Sequence, residues 1–428
     1  MIRSRSTASS LVPFFDRVLR ARGLEFMNPA MRRKILLTAA LVGLALRGLY
    51  AWRQYARVYV PIDGYEILAC GLLERGELSL EPGKPTSVRE PGYPIMIAGL
   101  YAAAGGRHAW VVLVAQILMS LAIAAMLASM GMDLFGADVG AAAFCAYMLY
   151  PQSIYYCAST FRDTLAAFVF AAAVWAVSRA GRLSAWPAVG WALASGAASG
   201  VLAVTSTAGA LGLVPACAAA LLWMGRRRLL APYFIPILVF AGAWTVRNWG
   251  VHGGLILGST SGGGEIYQAM IIEPDDLGTP RQSEILAHDA FWIETARLPE
   301  AERNSALIRR TLELVRERPL LYARRVCVRV VKMWRLWPYR RSYDEPYRGI
   351  LLASLLSDGW MVPVGLFGFF RLRKRWNSAP AAPFSVLGLT VVYGLLHSVI
   401  RYRFPAMAFV ILSAVATLEA LLRRSPAA

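Results

Sequence analysis

Long apolar segments recur along this 428-residue chain, and they constrain its fold more than any other feature. A helix that crosses a bilayer needs about 20 mostly apolar residues. The candidate spans are 35–52, 109–130, 137–150, 163–178, 186–204, 206–224, 229–246, 350–370, 383–400 and 405–422. The sequence therefore predicts an all-α polytopic membrane protein with about ten transmembrane helices. A shorter apolar run, 94–104, is expected to lie as a helix in the outer interface.

The composition supports a membrane protein and narrows its partners. Hydrophobic residues make up 57% of the chain, whereas soluble domains are close to half apolar. The formal net charge is +19, and arginine supplies nearly all of the positive charge. Such a charge is typical of nucleic-acid binding, of contact with anionic lipids, or of a positive-inside topology. In so apolar a chain the bilayer is the expected partner, and a nucleic acid is not.

The charges between the candidate spans predict an orientation. With the N-terminus inside, the cytoplasmic side receives the basic segments 32–34, 179–182, 226–228, 371–375 and 423–424. The first outer loop instead holds six acidic residues between Asp63 and Glu90. An even number of spans then leaves both termini in the cytoplasm.

This topology predicts four regions. They are a basic cytoplasmic tail 1–34, a transmembrane module 35–246 with an outer loop 53–108, a periplasmic loop domain 247–348, and C-terminal transmembrane helices 349–428. Helices are expected in the periplasmic domain at 282–297, 300–317 and 319–337. Its glycine-rich segment 258–264 lacks the Gly-Lys-Ser/Thr of a P-loop and is expected to be a flexible loop near the substrate.

The last of these predicted helices, 319–337, carries a basic stripe. Arg325, Arg329 and Lys332 recur at helical spacing, and tryptophans follow at the end of the segment. An amphipathic helix that lies on the membrane surface is expected, as a support and not as a catalytic element.

Metal-binding and disulfide patterns are weak in this chain. The five cysteines are scattered without a CxxC pair, and none of the four histidines has a partner at metal-ligand spacing. Neither a zinc cluster nor a disulfide framework is predicted.

Three acidic residues in the outer segments are candidates for catalysis. Asp63 follows the first span, Glu90 lies in the rigid turn 89–94, and Asp163 begins a span after Arg162. A carboxylate at the outer face can serve as a general base. Each also has a structural interpretation: a solvated loop acid, a helix entry, and an acid stabilised by the helix dipole.

Arginines at the outer ends of spans are candidates for phosphate binding. Arg247 with Asn248, and Arg401 with Arg403, stand where the positive-inside rule disfavours basic residues. Arginine can bind a phosphate through two parallel hydrogen bonds. The alternative is that these side chains snorkel to lipid phosphates.

The order of these motifs resembles that of the GT-C membrane glycosyltransferases. The nearest groups are the bacterial relatives of protein O-mannosyltransferases, of lipid A aminoarabinose transferase and of lipopolysaccharide-core galacturonosyltransferases. The motifs are Asp63-Gly-Tyr65, the segment 89–94, Asp163 after Tyr150-Pro151, Arg247-Asn-Trp249 with the loop 259–263, the segment 318–334, and His397 with the segment 401–405. The likeness covers most of the chain.

The resemblance implies a sugar donor linked to a polyprenyl phosphate. Asp63 matches the acid that activates the acceptor hydroxyl for inverting attack, and Asp163 and Glu90 match further acids of the site. The substrate-binding residues would be Tyr65, Glu66, Arg89, Tyr93, Arg247, Asn248, Arg401 and Arg403. Gly64 stands where some members have a second acid, so a divalent metal ion stays an open question, with Glu66 as the candidate substitute ligand.

The leading hypothesis is therefore a glycosyltransferase of the bacterial inner membrane. Its acceptor would be an envelope lipid, polysaccharide or protein. A transporter or flippase of a lipid-linked sugar is the first alternative, and it would require polar groups near the bilayer midplane. A non-catalytic envelope-assembly protein is the second, and it would tolerate loss of all three acids.

Overall fold

The computed structural model describes residues 27–55, 63–338 and 347–423. Most of the predicted tail 1–34 lies outside the described residues, as does Arg424 of the last basic segment. Within the described ranges the chain is helical except for one short antiparallel ribbon and the connecting loops.

The described helices and strands follow one another along the chain. In order they are α1 (Pro29–Gln54), α2 (Tyr65–Arg75), β1 (Ser79–Glu81), β2 (Lys84–Pro85), α3 (Gly92–Ala103), α4 (Ala109–Phe135), α5 (Ala137–Met148), α6 (Pro151–Cys157), α7 (Asp163–Arg182), α8 (Ala185–Ala203), α9 (Thr207–Trp223), α10 (Leu230–His252), α11 (Gly262–Ile271), α12 (Pro280–His288), α13 (Ala290–Thr295), α14 (Glu300–Glu317), α15 (Pro319–Met333), α16 (Tyr347–Arg371), α17 (Arg373–Trp376), α18 (Ala381–Leu395) and α19 (Phe404–Leu422). Short 3-10 turns, Arg227–Leu229 and Ile400–Arg403, precede α10 and α19.

Six of the described helical segments are long and apolar enough to cross a membrane, so the chain is a multi-pass membrane protein. They are α1, α4, α7, α10 with its 3-10 turn, α16, and α19 with its 3-10 turn. The prediction of about ten spans is corrected to these six together with shorter apolar helices. For the predicted spans observed as α5, α9 and α18 the reason is length: α5, for example, has 12 residues and rises only about 18 Å, against a hydrocarbon core of about 30 Å.

Helices α7 and α19 lie at the centre of the bundle. About two thirds or more of their apolar stretch is buried inside the protein, against 22% for α1 and α10. Small residues allow the helices to approach closely: a Cβ at Gly131 of α4 would lie 2.7 Å from the Gly140 Cα of α5. Close backbone contact of this kind is typical of helix packing in membranes.

The ends of the helices define two faces of the bundle. One end brings Arg182 of α7 to Asp133 of α4 (2.9 Å) and the Arg226 Nε to the Gly181 carbonyl (3.2 Å). Trp376 of α17 packs at this same end against Phe135 of α4. We call it the basic end. The opposite end carries the start of α7 and of α19, and we call it the site end.

Two structural expectations for the loop domain are corrected. The helix predicted over 282–297 is divided into α12 and α13, because the Asp289 side chain accepts a hydrogen bond from the Trp292 N–H and starts a new helix. The glycine-rich segment 258–264 is not a free loop. Helix α11 begins within it at Gly262, and the Gly263 N–H donates to Asn304 Oδ1 (2.7 Å).

The basic stripe of α15 faces the protein and not the membrane surface. Arg329 is fully buried and donates to the carbonyls of Gly394 and Ala269 (3.0 Å each). Arg325 is also buried, and Lys332 pairs with Asp275. The stripe therefore joins α15 to α11 and α18. Leu320 and Val331 of the same helix are exposed, and the expected position of α15 on the membrane surface stays a prediction.

Candidate active site

Two of the predicted acids share one arginine at the site end. Arg401 Nε lies 2.8 and 2.9 Å from the two carboxylate oxygens of Asp163, and Arg401 Nη2 lies 2.6 Å from Asp163 Oδ2. The same Nη2 is 3.7 Å from Asp63 Oδ2. The guanidinium also stacks over the Phe161 ring at 4.2 Å. Asp163 and Arg401, which follow Asp63 by 100 and 338 positions in the chain, thus meet it in one ion cluster.

A second arginine holds Asp63 from the other side. Arg89 Nη2 lies 3.2 Å from Asp63 Oδ1, and Arg89 Nε donates to the Asp63 carbonyl (3.3 Å). Gly64 follows with φ +72°, a left-handed conformation that favours glycine, and it caps the start of α2. A side chain at position 64 would be strained there, and its Cβ would lie 3.1 Å from Leu80 Cδ2.

Glu90 connects the rigid turn 89–94 to the neighbouring helices. Glu90 Oε2 pairs with Arg162 Nη1 (2.5 Å), and Glu90 Oε1 accepts a hydrogen bond from the Thr207 N–H (3.2 Å). The Gly92 N–H donates to the Val204 carbonyl (2.6 Å). Glu90 is 5% exposed, so its geometry fits a residue that positions the site.

Two residues of the cluster were not assigned from the sequence. Arg162 was noted beside Asp163, but its partner Glu90 lies 72 positions away and gave no local signal. Glu265 belongs to the first turn of α11 and directly follows the segment 258–264 that was expected to be a loop. Arg162 and Glu90 are its strongest charged neighbours, and burial raises the pKa of the Glu265 carboxyl. The one available signal was an acid directly after a glycine run.

Tyr65, Tyr93 and Glu66 are enclosed by the protein. The two tyrosine rings pack edge to face at 5.2 Å, and burial raises the pKa of Tyr65 to about 12. The Tyr93 hydroxyl donates to Gln116 Oε1 (3.0 Å). Glu66 is 4% exposed and pairs with Arg107 (2.9 Å). Their burial and internal partners suit a supporting role, and the predicted direct contact with substrate stays a prediction.

Arg247 and Asn248 hold the ribbon segment in place. Arg247 Nη1 donates to the Thr86 carbonyl (2.9 Å) and to Ser87 Oγ (2.7 Å). Asn248 is fully buried, and its Oδ1 accepts from the Ser87 hydroxyl (2.7 Å). The pair connects α10 to the loop that leads to Arg89, so it fits a supporting role better than the predicted phosphate site.

Arg403 lies apart from the cluster although it is only two residues from Arg401. Its side chain is fully buried, and Arg403 Nη2 lies 2.7 Å from Asp358 Oδ2. Arg403 Nη1 donates to the Arg335 carbonyl (2.6 Å). These partners lie inside the protein and away from the cluster, so the expectation of substrate binding by Arg403 is not supported by its placement.

An apolar cavity of about 660 Å³ opens beside the cluster. Its walls come from α1, α6 and α16, which supply aromatic and aliphatic side chains such as Tyr50, Tyr155 and Ile350. Arg401 is the one arginine among the residues that line it. A mostly apolar cavity that has a cation in its wall, and whose one lining carboxylate, Asp358, is paired with Arg403, suits an amphiphile that carries an anionic head.

The acids do not fit a metal site. In the ranges that the structure describes, no three His, Cys, Asp or Glu side chains converge as ligands. Asp63 and Asp163 instead accept hydrogen bonds from arginines. Glu66, the candidate substitute ligand, is turned toward Arg107.

Comparison with known proteins gives structural matches alone. No family model matches the chain, and no curated protein matches it. The oligosaccharyltransferase AglB of Archaeoglobus fulgidus, in complex with an inhibitory peptide and a dolichol-phosphate, matches over 94% of this chain and 53% of its own, with 12% identity and a TM-score of 0.47. ArnT from Cupriavidus metallidurans bound to undecaprenyl phosphate matches over 92% and 77%, with 17% identity and a TM-score of 0.38.

The chain is thus structurally similar over most of its length to two GT-C glycosyltransferases, as its motifs indicated. It spans about half the length of the archaeal enzyme, so no activity of that whole protein is carried over. At these identities the likeness concerns the overall structure, and no substrate is transferred from it.

Proposed function

We propose that this protein is a GT-C glycosyltransferase that moves a sugar from a polyprenyl-phosphate donor to an envelope lipid, polysaccharide or protein. We place it in the bacterial inner membrane, with both termini in the cytoplasm and the site end in the periplasm. One observation carries the proposal: Asp63 and Asp163 flank Arg401, and Arg401 lies on the wall of the apolar cavity.

The donor would bind with its lipid tail in the cavity and its phosphate at Arg401. The bonds to Asp163 use Nε and Nη2 of the guanidinium, which leaves Nη1 for a phosphate oxygen. Charge-assisted bonds from arginine to phosphate are strong and directional. The phosphate is the leaving group, and a fixed cation stabilises the negative charge that develops on it.

The acceptor hydroxyl would be activated by Asp63. In the transfer step the acceptor oxygen forms a bond to the anomeric carbon, and the bond from that carbon to the phosphate oxygen breaks. The electron pair leaves with the polyprenyl phosphate, and the acceptor proton passes to Asp63. Attack opposite the leaving group inverts the anomeric configuration. Arg89 orients the Asp63 carboxylate for this role.

The other two acids would act through their arginines. Asp163 holds Arg401 in position by a bidentate pair, and Glu90 holds Arg162. Rigid placement of the cation matters because a preorganised charge needs no rearrangement during the reaction. We therefore assign Asp163 and Glu90 positioning roles in the proposed mechanism.

Transport of a lipid-linked sugar is less well supported by the placement of buried charges. Arg47 and Asp358 are the ionisable groups buried within candidate spans α1 and α16. Arg47 Nη1 donates to the Met148 carbonyl (2.6 Å), and Asp358 pairs with Arg403. Both hold helices together, and Asp358, which also lines the apolar cavity, is neutralised there by Arg403.

The test is mass spectrometry of envelope lipids and glycans from four strains. They carry the wild-type gene, a deletion, Asp63→Asn, and the control Glu74→Gln, which alters an exposed acid of α2. We expect one sugar-sized modification that the deletion and Asp63→Asn strains both lose and the control keeps. Full modification in the Asp63→Asn strain would remove Asp63 from the mechanism and favour a non-catalytic role.

A further inference from the structure

A second cavity, of about 650 Å³, lies at the basic end of the bundle. It is formed where the turn between α7 and α8 meets the turn between α9 and α10. Ala185 and Trp186 form one wall, and three consecutive arginines, 226–228, form the other. Ala185 has φ +52°, and it is the one non-glycine residue with a positive φ in the described ranges. The backbone is thus bent sharply where the cavity is built.

Within residues 27–55, 63–338 and 347–423, no carboxylate neutralises the charge in this cavity. Elsewhere at the basic end, Arg179 and Arg182 both pair with Asp133. No carboxylate pairs with the arginines 226–228 among the described residues, and Arg226 donates instead to the Gly181 carbonyl. Helix α8 adds its positive N-terminal dipole, and the Ser184 side chain does not cap it. The cavity therefore attracts an anion.

Apolar residues on the outside of the cavity show which kind of anion fits. Trp186 is 83% exposed, and Trp223 at the end of α9 is 62% exposed. Tryptophans of this kind mark the boundary between lipid and water. Leu222 beside them is also exposed and offers a surface for an acyl chain.

We propose that this cavity binds the phosphate head group of an anionic phospholipid. The head group would contact the arginines 226–228 and the start of α8, and the acyl chains would run along the exposed face of α9. Helix α10 separates the cavity from the candidate active site. It has 23 residues and is therefore about 34 Å long. The lipid is thus distinct from the donor, and the proposal does not depend on the proposed function.

A positive-inside topology alone would account for basic residues at this end, but it depends on their number and not on their place. The segment 371–375 provides a matched comparison. Arg371 ends α16 and Arg373 and Arg375 belong to α17 at the same end, but none of them lines the cavity. Replacing them removes the same charge without altering the cavity.

The experiment measures lipid binding to the full-length protein by native mass spectrometry in detergent. The probes are phosphatidylglycerol, phosphatidylcholine and inorganic phosphate. The proteins are wild type, R226Q/R227Q/R228Q, and the control R371Q/R373Q/R375Q. We expect phosphatidylglycerol to bind wild type and control equally, and the first variant at least about tenfold more weakly. Phosphatidylcholine and phosphate are expected to bind weakly to all three.

Three results would overturn the proposal. The two triple variants could lose binding equally, which would mean non-specific charge attraction. Inorganic phosphate could bind as well as phosphatidylglycerol, which would mean a site for a free anion. Phosphatidylcholine could bind as tightly as phosphatidylglycerol, which would mean that the site does not select an anionic head group. If the first triple variant does not fold, R227Q/R228Q preserves the Arg226 bond to Gly181 and is judged by the same criteria.

Discussion

Arg401 and Asp163 form a bidentate ion pair at the start of α7 and α19, with three nitrogen–oxygen distances between 2.6 and 2.9 Å. The pair joins the two most buried helices of the bundle at the point where they reach the site end. A charge held in this way keeps its position when a second anion arrives. It can therefore present the remaining guanidinium nitrogen to a phosphate at little cost in reorganisation.

Arg401→Lys tests whether the site needs only the positive charge at position 401 or also the planar guanidinium. Lysine keeps the positive charge but lacks the planar fork that binds Asp163 through two bonds. Loss of such a charge-assisted bond costs about 1.5–3 kcal/mol, which corresponds to a roughly ten- to hundredfold lower turnover. Turnover is measured against donor concentration in purified protein.

Arg316→Lys is the control for that experiment, because Arg316 is exposed on α14. It should leave both turnover and donor affinity unchanged. Equal activity of Arg401→Lys and wild type would show that the fork geometry at Arg401 is not needed.

The buried pair of Arg403 and Asp358 gives a prediction on stability. Both side chains are almost completely buried, so Asp358→Asn leaves a buried guanidinium without its counter-charge. Removing one partner of such a pair costs about 3–5 kcal/mol. We expect a clear fall in the midpoint of thermal unfolding in detergent.

Asp275→Asn provides the comparison, since Asp275 also pairs with a basic residue, Lys332, but its side chain is 61% exposed. A pair with one solvent-exposed partner is screened by water and contributes about 0–1 kcal/mol, so this variant should unfold close to wild type. A similar midpoint for Asp358→Asn and Asp275→Asn would contradict the structural role given to Arg403.

The sequence located the acids and arginines of the site end but not their partners. Asp63, Asp163 and Arg401 were chosen because each stands at the outer end of a predicted span. Arg403 met the same criterion, yet the tight turn that precedes α19 directs it into the core toward Asp358. Which of two nearby arginines faces the site depends on a partner 45 positions away, and no local pattern contains that information.

Helix existence was easier to predict than helix length or loop structure. The run 300–317 is observed as α14 with the same bounds. By contrast, Glu265 was missed because a glycine-rich segment predicts a loop, whereas contacts from α14 fix this one as the start of α11. Tertiary contacts overrode local preference, and they brought an acid to the site.

Glu265 should make stability depend on pH. Burial raises the pKa of this carboxyl in the folded protein, so the folded state binds the proton more tightly than the unfolded state. Stability is therefore lost as pH rises from the unfolded value, about 4.3, through the raised folded value. Glu265→Gln removes this loss. Its unfolding midpoint should exceed that of wild type at pH 8 and should approach it at pH 4.

The exposed Glu294 of α13 supplies the control, since Glu294→Gln should not change the pH dependence. Glu265→Gln should also lower turnover if the free carboxylate contacts the acceptor, which is the usual trade between stability and activity. If Glu265→Gln is no more stable than wild type at pH 8, the charged form of Glu265 does not destabilise the folded protein.

Gly92 and Gly99 of α3 provide a matched pair of substitutions for the rigid turn. A Cβ at Gly92 would lie 2.7 Å from the Val204 carbonyl oxygen, and backbone cannot move aside easily, whereas a Cβ at Gly99 meets nothing within 4 Å. Gly92→Ala should therefore cost about 1–3 kcal/mol and displace Glu90 from Arg162, with loss of turnover. Gly99→Ala should be neutral or stabilising by about 0.5–1 kcal/mol. Thermal unfolding and turnover of both variants test this, and equal effects would mean that the contact of the turn with Val204 does not position the site.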